Sequence, residues 1–323
     1  MLNPLRLTGL MWLLALTAPH TVQADEAASW WRPSMLVDYG VVVAGGATLG
    51  ILSQIAPARG SGIGPSFDAK NPSAILDSRY SGQLGRKFLY ENTGETVSAR
   101  TVGLAIVPVG LWLVAQEAFG PARFGEERGL RVHEAGVGLA ETLALSLTVT
   151  NVLKFSYGRL RPDFQDRVRR FYCNQPDHQG VACTGNEATL DPDPAKWQGL
   201  LDDGRRSFPS GHASTTFALA TYAILATGGR FVWSPDATAS SRAWGMGGQV
   251  SALALASYVA WTRVRDGRHN LSDVLTGAAI GTAMANLAYW RRFDSDGNTR
   301  RRPYDVAASF ASNTAGLSFS VGW

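Results

Sequence analysis

Charge is sparse in this chain and nowhere concentrated. Asp, Glu, Lys and Arg make up 17% of the 323 residues, and 30 basic against 26 acidic side chains leave a formal net charge of +4. Without a basic block or interleaved aromatics, the scattered arginines exclude a nucleic-acid surface; an anionic substrate or a membrane surface fits better. No cluster of carboxylates is present that would hold a divalent metal, and no cofactor is expected. His133-Glu134 begins like a zinc-binding helix, but Val137 stands where the second ligand is needed, so the two read as a helix-end pair. Cysteine is limited to Cys173 and Cys183, which share one polar loop. In an exported loop so close a pair reads as a disulfide, with two unpaired thiols as the alternative.

What is abundant is apolar. Hydrophobic residues reach 45%, and Gly and Ala recur within the apolar runs, as where helices pack closely in a membrane. A mean hydropathy of −0.05 reflects dilution by long polar connections. Residues Met1 to Ala24 read as a secretory signal: Arg6, then Leu7 to Ala18 largely apolar, then Val22-Gln23-Ala24 with small residues at the cleavage positions. Six helix-length apolar stretches follow, near Met35–Ile55, Thr101–Phe119, Gly136–Leu153, Ala213–Thr227, Gly248–Trp261 and Val274–Trp290. The expected fold is therefore an all-α, six-helix transmembrane bundle within residues 25–290. Several stretches fall short of the roughly 20 residues a span needs, and Asp38, Pro108, Glu117 and Glu141 lie in or near them. A soluble all-α protein with buried helices is the competing arrangement.

The connections divide into two long ones and a tail. Pro57 to Arg100 reads as loop with a surface helix near Ile75–Leu84, and Gly158 to Arg206, broken by several prolines, could form a lid. The tail, residues 291–323, opens on Arg291-Arg292, a charged stop suited to a cytoplasmic helix end. Its period then becomes two: Leu317, Phe319, Val321 and Trp323 alternate with small or polar residues, and Asn313 to Gly316 could turn them back onto Val306 to Phe310 as a short β-hairpin. One hairpin cannot close an outer-membrane barrel, so it reads as a packing appendage. Topology leaves a conflict open. If the signal is cleaved and all six helices span, Lys154 faces the cytoplasm, whereas the cysteine loop wants the oxidising side. Signal and cysteines together favour an active site outside the cytoplasm.

Three short segments carry chemistry. Lys154-Phe155-Ser156-Tyr157-Gly158-Arg159-Leu160-Arg161-Pro162 closes the third apolar stretch with two cations able to face one anion; helix-end snorkelling is the bland alternative. Phe208-Pro209-Ser210-Gly211-His212-Ala213-Ser214 turns a polar loop into a helix, where Ser210 suits a cap, Gly211 permits close approach and His212 offers a proton. Thr262 to Asp273 holds Arg263, His269 and Asp273, and the four-residue spacing of the last two puts a carboxylate beside an imidazole on a helix.

In order, Lys-x6-Arg-Pro, Pro-Ser-Gly-His and Arg-x5-His-x3-Asp resemble the signature of the type 2 phosphatidic acid phosphatase superfamily, shared by lipid phosphate phosphatases, class A acid phosphatases and vanadium haloperoxidases. The resemblance runs from the third apolar stretch through the sixth. One departure is Thr262, where the third motif usually begins with Ser; the hydroxyl is kept. The resemblance implies His269 as nucleophile, Asp273 as its orienting carboxylate and His212 as general acid and base. It implies Lys154, Arg161, Ser210, Gly211 and Arg263 as the phosphate seat. Three cations can balance a phosphate dianion without a divalent metal. The expected activity is metal-independent hydrolysis of a lipid phosphomonoester or pyrophosphate, the partners being a phosphorylated lipid or isoprenoid and the membrane. The implied location is a bacterial cell membrane with the site facing the periplasm. Alternatives are a soluble periplasmic acid phosphatase, a vanadium haloperoxidase and a non-catalytic lipid-binding protein.

Overall fold

The computed structural model describes residues 35–53, 96–119, 128–164, 167, 199, 201–300, 304–311 and 314–321. The signal-like segment, the surface helix near residues 75–84 and the suspected Cys173–Cys183 bridge lie outside these. All six apolar stretches are helices: α1 (Met35–Ser53), α2 (Ala99–Phe119), α3 (Arg128–Tyr157), α4 (Gly211–Thr227), α5 (Ala239–Arg265) and α6 (Leu271–Trp290). A π-helical stretch, Gly228–Val232, follows α4 directly. Helices α3 and α5 extend well past their apolar runs because polar turns at a helix end satisfy the backbone as well as apolar ones do. Thr238 caps α5 through its hydroxyl, which accepts from Ser241 N at 3.1 Å.

Helix α4 is central, packed against α2, α3, α5 and α6. Its Leu219, Tyr222 and Leu225 meet Leu113 of α2, Leu139 and Leu143 of α3 and Tyr289 of α6 in one apolar core. The tightest contact is between α4 and α6. A Cβ on Gly277 would overlap the Ser210 carbonyl oxygen; one on Gly281 would overlap that of Ser214 and stand 2.7 Å from Ala218 N. Gly277-Ala278-Ala279-Ile280-Gly281 is thus a small-xxx-small stripe that lets two backbones touch.

Among the described residues two helices are long and apolar enough to cross a membrane, over Ala99–Gln116 and Gly129–Tyr157. The outer faces of α2 and α5 are strongly apolar: Leu104, Leu111 and Trp112 on one, and Trp244, Val250, Leu255 and Trp261 on the other, are exposed, Trp244 by 81%.

Arg291 and Arg292, which close α6, are held in ion pairs. Arg292 is buried among Asp38 (3.2 Å), Glu134 (2.6 Å) and Glu141 (2.7 Å), and Arg291 pairs with Glu141 and Asp38. Glu134 keeps its expected pairing with His133, its Oε1 standing 3.7 Å from the Nδ1 nitrogen. It lies inside α3 and belongs to this cluster, while His133 Nε2 shares a 2.6 Å hydrogen bond with Tyr39 Oη. Asp38 and Glu141, awkward for apolar helices in sequence, are buried because these guanidinium groups accompany them.

Val37–Arg302 forms one compact unit, and the strands after it belong to another. β1 (Tyr304–Ala311) pairs antiparallel with β2 (Thr314–Val321), from Tyr304 opposite Val321 to Ala311 opposite Thr314. Gly316, expected in the turn, instead pairs with Ser309 inside the strands.

Replacing Gly281 with Val should destabilise the body by about 1–3 kcal/mol, because the α4 backbone cannot yield to a branched side chain. Thermal unfolding in detergent measures this, and an unchanged midpoint would contradict the close-contact account. Arg292→Leu should cost about 3–5 kcal/mol by leaving three buried carboxylates without their main partner. Chemical denaturation of the same detergent sample tests it.

Candidate active site

Local hydrogen bonds bring the three segments to one place. The end of α3 continues into Arg159 and Arg161, which run beside residues 204–207: Arg161 N donates to Gly204 O (2.8 Å) and Ser207 N to Arg159 O (3.0 Å). Ser210, the N-cap of α4, donates its N–H to Asp273 O at 2.9 Å, the link that the α4–α6 glycine contact makes possible. Between α5 and α6, Arg268 N and His269 N both donate to Arg263 O (3.0 and 3.2 Å), and Gly267 takes the turn at φ +64°. Behind these, Asp163 accepts from both Arg167 and Arg268 at 2.9 Å, tying the first motif to the third.

His269 is 2% exposed, and its Nδ1 lies 2.7 Å from Ser207 O. A carbonyl can only accept, so Nδ1 carries the proton and Nε2 keeps the lone pair. Asp273 does stand near, but its Oδ2 is 3.9 Å from Nδ1. That oxygen accepts instead from Ser207 Oγ (2.6 Å) and Asn270 N (2.9 Å), and Oδ1 accepts from Arg159 Nη1 (2.7 Å). The i,i+4 spacing thus gives proximity without the hydrogen bond. The Asp273 carboxylate is spent on capping α6 and on fixing Ser207, and Ser207 holds the imidazole.

Around His269 the cations gather. Lys154 Nζ would stand 3.3 Å from a Cβ on Gly211, so the lysine lies across the first turn of α4 and a side chain there would crowd it. Arg161, 7% exposed, donates to Asp203 Oδ1 at 2.8 Å, and fully buried Arg263 donates to Val97 O at 2.8 Å. Burial first, then the charges of Arg161, Lys154 and Arg263 and of His212, push the His269 imidazole well below its ordinary range. His212 Nε2 is buried and has no hydrogen-bond partner among the described residues. Ser210 is buried, its hydroxyl accepting from Ala213 N at a long 3.5 Å. The Thr262 hydroxyl turns back to Val259 O at 2.7 Å, within its own helix. Among the described residues no group of three or more His, Cys, Asp or Glu could hold a metal ion.

Several contributors escape sequence reasoning. Ser207 acts through a main-chain carbonyl, which no residue type advertises; Arg159 and Asp203 sit between motif positions; and Thr96 and Val97, far off in sequence, bind Asp266 and Arg263.

Residues 135–296, half of the sequence, match the PAP2 superfamily. The chain belongs to the PAP2 superfamily. It is 32% identical over 155 residues to the probable diacylglycerol pyrophosphate phosphatase 1 of Schizosaccharomyces pombe, which covers 48% of this chain and 52% of that one. To lipid phosphate phosphatase 1 of Arabidopsis thaliana it is 30% identical over 172 residues, 49% of this chain and 44% of the other. To the lipid A 1-phosphatase of Porphyromonas gingivalis it is 30% identical over 148 residues, 46% and 22% of the two chains. The chain thus spans about half or less of the length of these relatives. No solved structure matches it. The PAP2 region contains all three motifs, together with Arg159 and Ser207, whereas α1, α2 and the hairpin lie outside it.

In the ligand-free PAP2 protein, histidine NMR should find His269 uncharged at pH 6.5. The sign follows from the lowered value: protonation is displaced to more acid pH, so the lone pair persists through neutrality. Arg161→Met removes the largest charge contribution to that lowering and should move the titration upward. A His269 already protonated at pH 6.5 in the wild type would contradict this electrostatic picture.

Proposed function

We propose that this protein is a metal-independent phosphatase that hydrolyses a lipid phosphomonoester or pyrophosphate through a phosphohistidine on His269. The observation that carries the reading is the His269 tautomer. An imidazole whose Nδ1 is tied to the Ser207 carbonyl holds its Nε2 lone pair beside Lys154, Arg161 and Arg263. In this reading Nε2 bonds to phosphorus as the ester P–O bond breaks, and the electron pair stays on the leaving oxygen, which takes a proton from His212. Water, giving its proton to His212, then attacks the phosphohistidine; the P–N bond breaks, and inorganic phosphate leaves with His269 restored. A phosphate dianion offsets the surrounding cations, which lets His212 hold the proton it needs once substrate is bound. Lys154, Arg161 and Arg263 carry the equatorial oxygens, with the amide groups opening α4 and the Ser210 hydroxyl as further donors.

The lipid half of the reading rests on apolar exposure beside the site. Leu271 and Leu275 at the start of α6 and Trp261 at the end of α5 are each more than half exposed. Such a surface suits acyl chains better than water. The names of the relatives, which speak of lipid phosphates, diacylglycerol pyrophosphate and lipid A, agree with it. We assign the protein to a membrane, with its site on the side opposite the cytoplasm, from the signal-like Met1–Ala24 and the Cys173, Cys183 loop.

Phosphate release in EDTA from phosphatidate, an isoprenyl pyrophosphate and a soluble aryl phosphate tests the reading. Lipid-selective release should vanish in His269→Ala, and Arg263→Ala should lose about 3 kcal/mol of transition-state stabilisation or more. His212→Ala should accumulate an acid-labile phosphoenzyme. Undiminished turnover in His269→Ala would refute the mechanism, and release from the aryl ester alone would refute the lipid assignment.

A further inference from the structure

One guanidinium beside the cradle has no task in the mechanism above. Arg206 immediately precedes Ser207, is partly buried, and holds its Cζ 4.8 Å from the centre of the Phe155 ring. Phe155 follows Lys154 directly, so one short piece of α3 carries both a cradle cation and the platform on which Arg206 rests. The backbone fixes this placement from the other side, since Arg206 N donates to Asp203 O at 3.0 Å.

Asp203 and Asp202 attract the Arg206 guanidinium, yet each is paired with another arginine. Asp202 pairs with Arg205, and Asp203 is shared by Arg161 (2.8 Å) and Arg167 (3.1 Å). No ion pair joins the Arg206 side chain to another described residue, and its Nε is buried without a hydrogen-bond partner. It also belongs to the group of like charges that act on Lys154, with Arg161 and Arg263. Four cations within mutual reach repel one another, and a single phosphoryl group needs only three of them. Arg263 of the cradle is fully buried, whereas Arg206 is partly exposed. An anion attached to the reacting phosphate through one bridging oxygen would have a use for it.

We propose that Arg206, held on Phe155, is a specificity-determining residue that receives the second phosphate of a diphosphate ester, so that the site takes pyrophosphate-ended substrates in preference to phosphomonoesters. This rests on the phosphatase reading given above. His269 Nε2 bonds to the terminal phosphorus while the bond from that phosphorus to the bridging oxygen breaks. The electron pair remains on the bridging oxygen, which leaves within a phosphomonoester whose negative charge Arg206 offsets. Water then cleaves the P–N bond, as for any other substrate of the site.

The test compares diacylglycerol pyrophosphate with phosphatidate of the same acyl chains, using full-length protein in detergent with EDTA. Wild type should favour the diphosphate in kcat/KM. Arg206→Gln should lose about 10- to 100-fold on the diphosphate, the worth of a hydrogen bond to a charged group, and at most about threefold on phosphatidate. Retained monoester turnover shows that the variant is folded, and Arg206→Lys should recover part of the diphosphate rate because it keeps the charge. Equal losses on the two substrates, or an unchanged ratio, would overturn the role of Arg206 while leaving the phosphatase reading intact. A wild type inert toward both would overturn that reading and this proposal with it.

Discussion

The backbone contact between α4 and α6 is the constraint on which the site depends. Two glycines one helical turn apart, Gly277 and Gly281, let the start of α6 rest on the Ser210 and Ser214 carbonyls. Contact at that distance places the N-terminal turns of both helices side by side. The hydrogen bond from Ser210 to Asp273 then spans a gap that any side chain would have widened. His269 comes with α6 and His212 with α4, so main-chain packing brings the two histidine-bearing turns together. The same contact explains why α4, only 17 residues long, can be the hub of the helical body.

Upon that contact the charges are arranged in layers. Innermost lie His269 and the cations around it; behind them Asp273, Ser207 and Arg159 hold one another through bonds of 2.6 to 2.7 Å. Farther out, Asp163 binds Arg167 and Arg268. Each layer fixes the next, so the His269 Nε2 lone pair is aimed without a direct carboxylate bond. Preorganisation of this kind costs nothing at the moment of reaction, and it gains strength where water is kept out. A separate cluster, Arg291 and Arg292 with Asp38, Glu134 and Glu141, joins α1, α3 and the end of α6. Buried acids within apolar helices are tolerable because matching guanidinium groups accompany them.

Much of this was legible in the chain itself. Six apolar runs marked the six helices, since a helix must bury a face and apolar length records it. Three motifs in order supplied Lys154, Arg161, Ser210, Gly211, His212, Arg263, His269 and Asp273, because charged and nucleophilic residue types are visible wherever they stand. Alternation in the tail marked the two strands, although Gly316, read as part of the turn, lies within the second strand.

Tertiary structure alone decided the rest, and the reason is the same at each place. The partner of His269 Nδ1 is a main-chain carbonyl, common to every residue and therefore invisible in sequence; spacing pointed to Asp273, which is adjacent but bonded elsewhere. Arg291 and Arg292 look like a solvated helix end until the fold carries Asp38 and Glu134, more than 150 positions away, to meet them. Glycine at 277 and 281 reads as ordinary composition until a second backbone is found against it. Sequence determined which chemical groups this protein owns and which of its segments are helical. Their distances and directions, and hence which nitrogen keeps a lone pair and which carboxylate is already spent, arise only when distant segments pack.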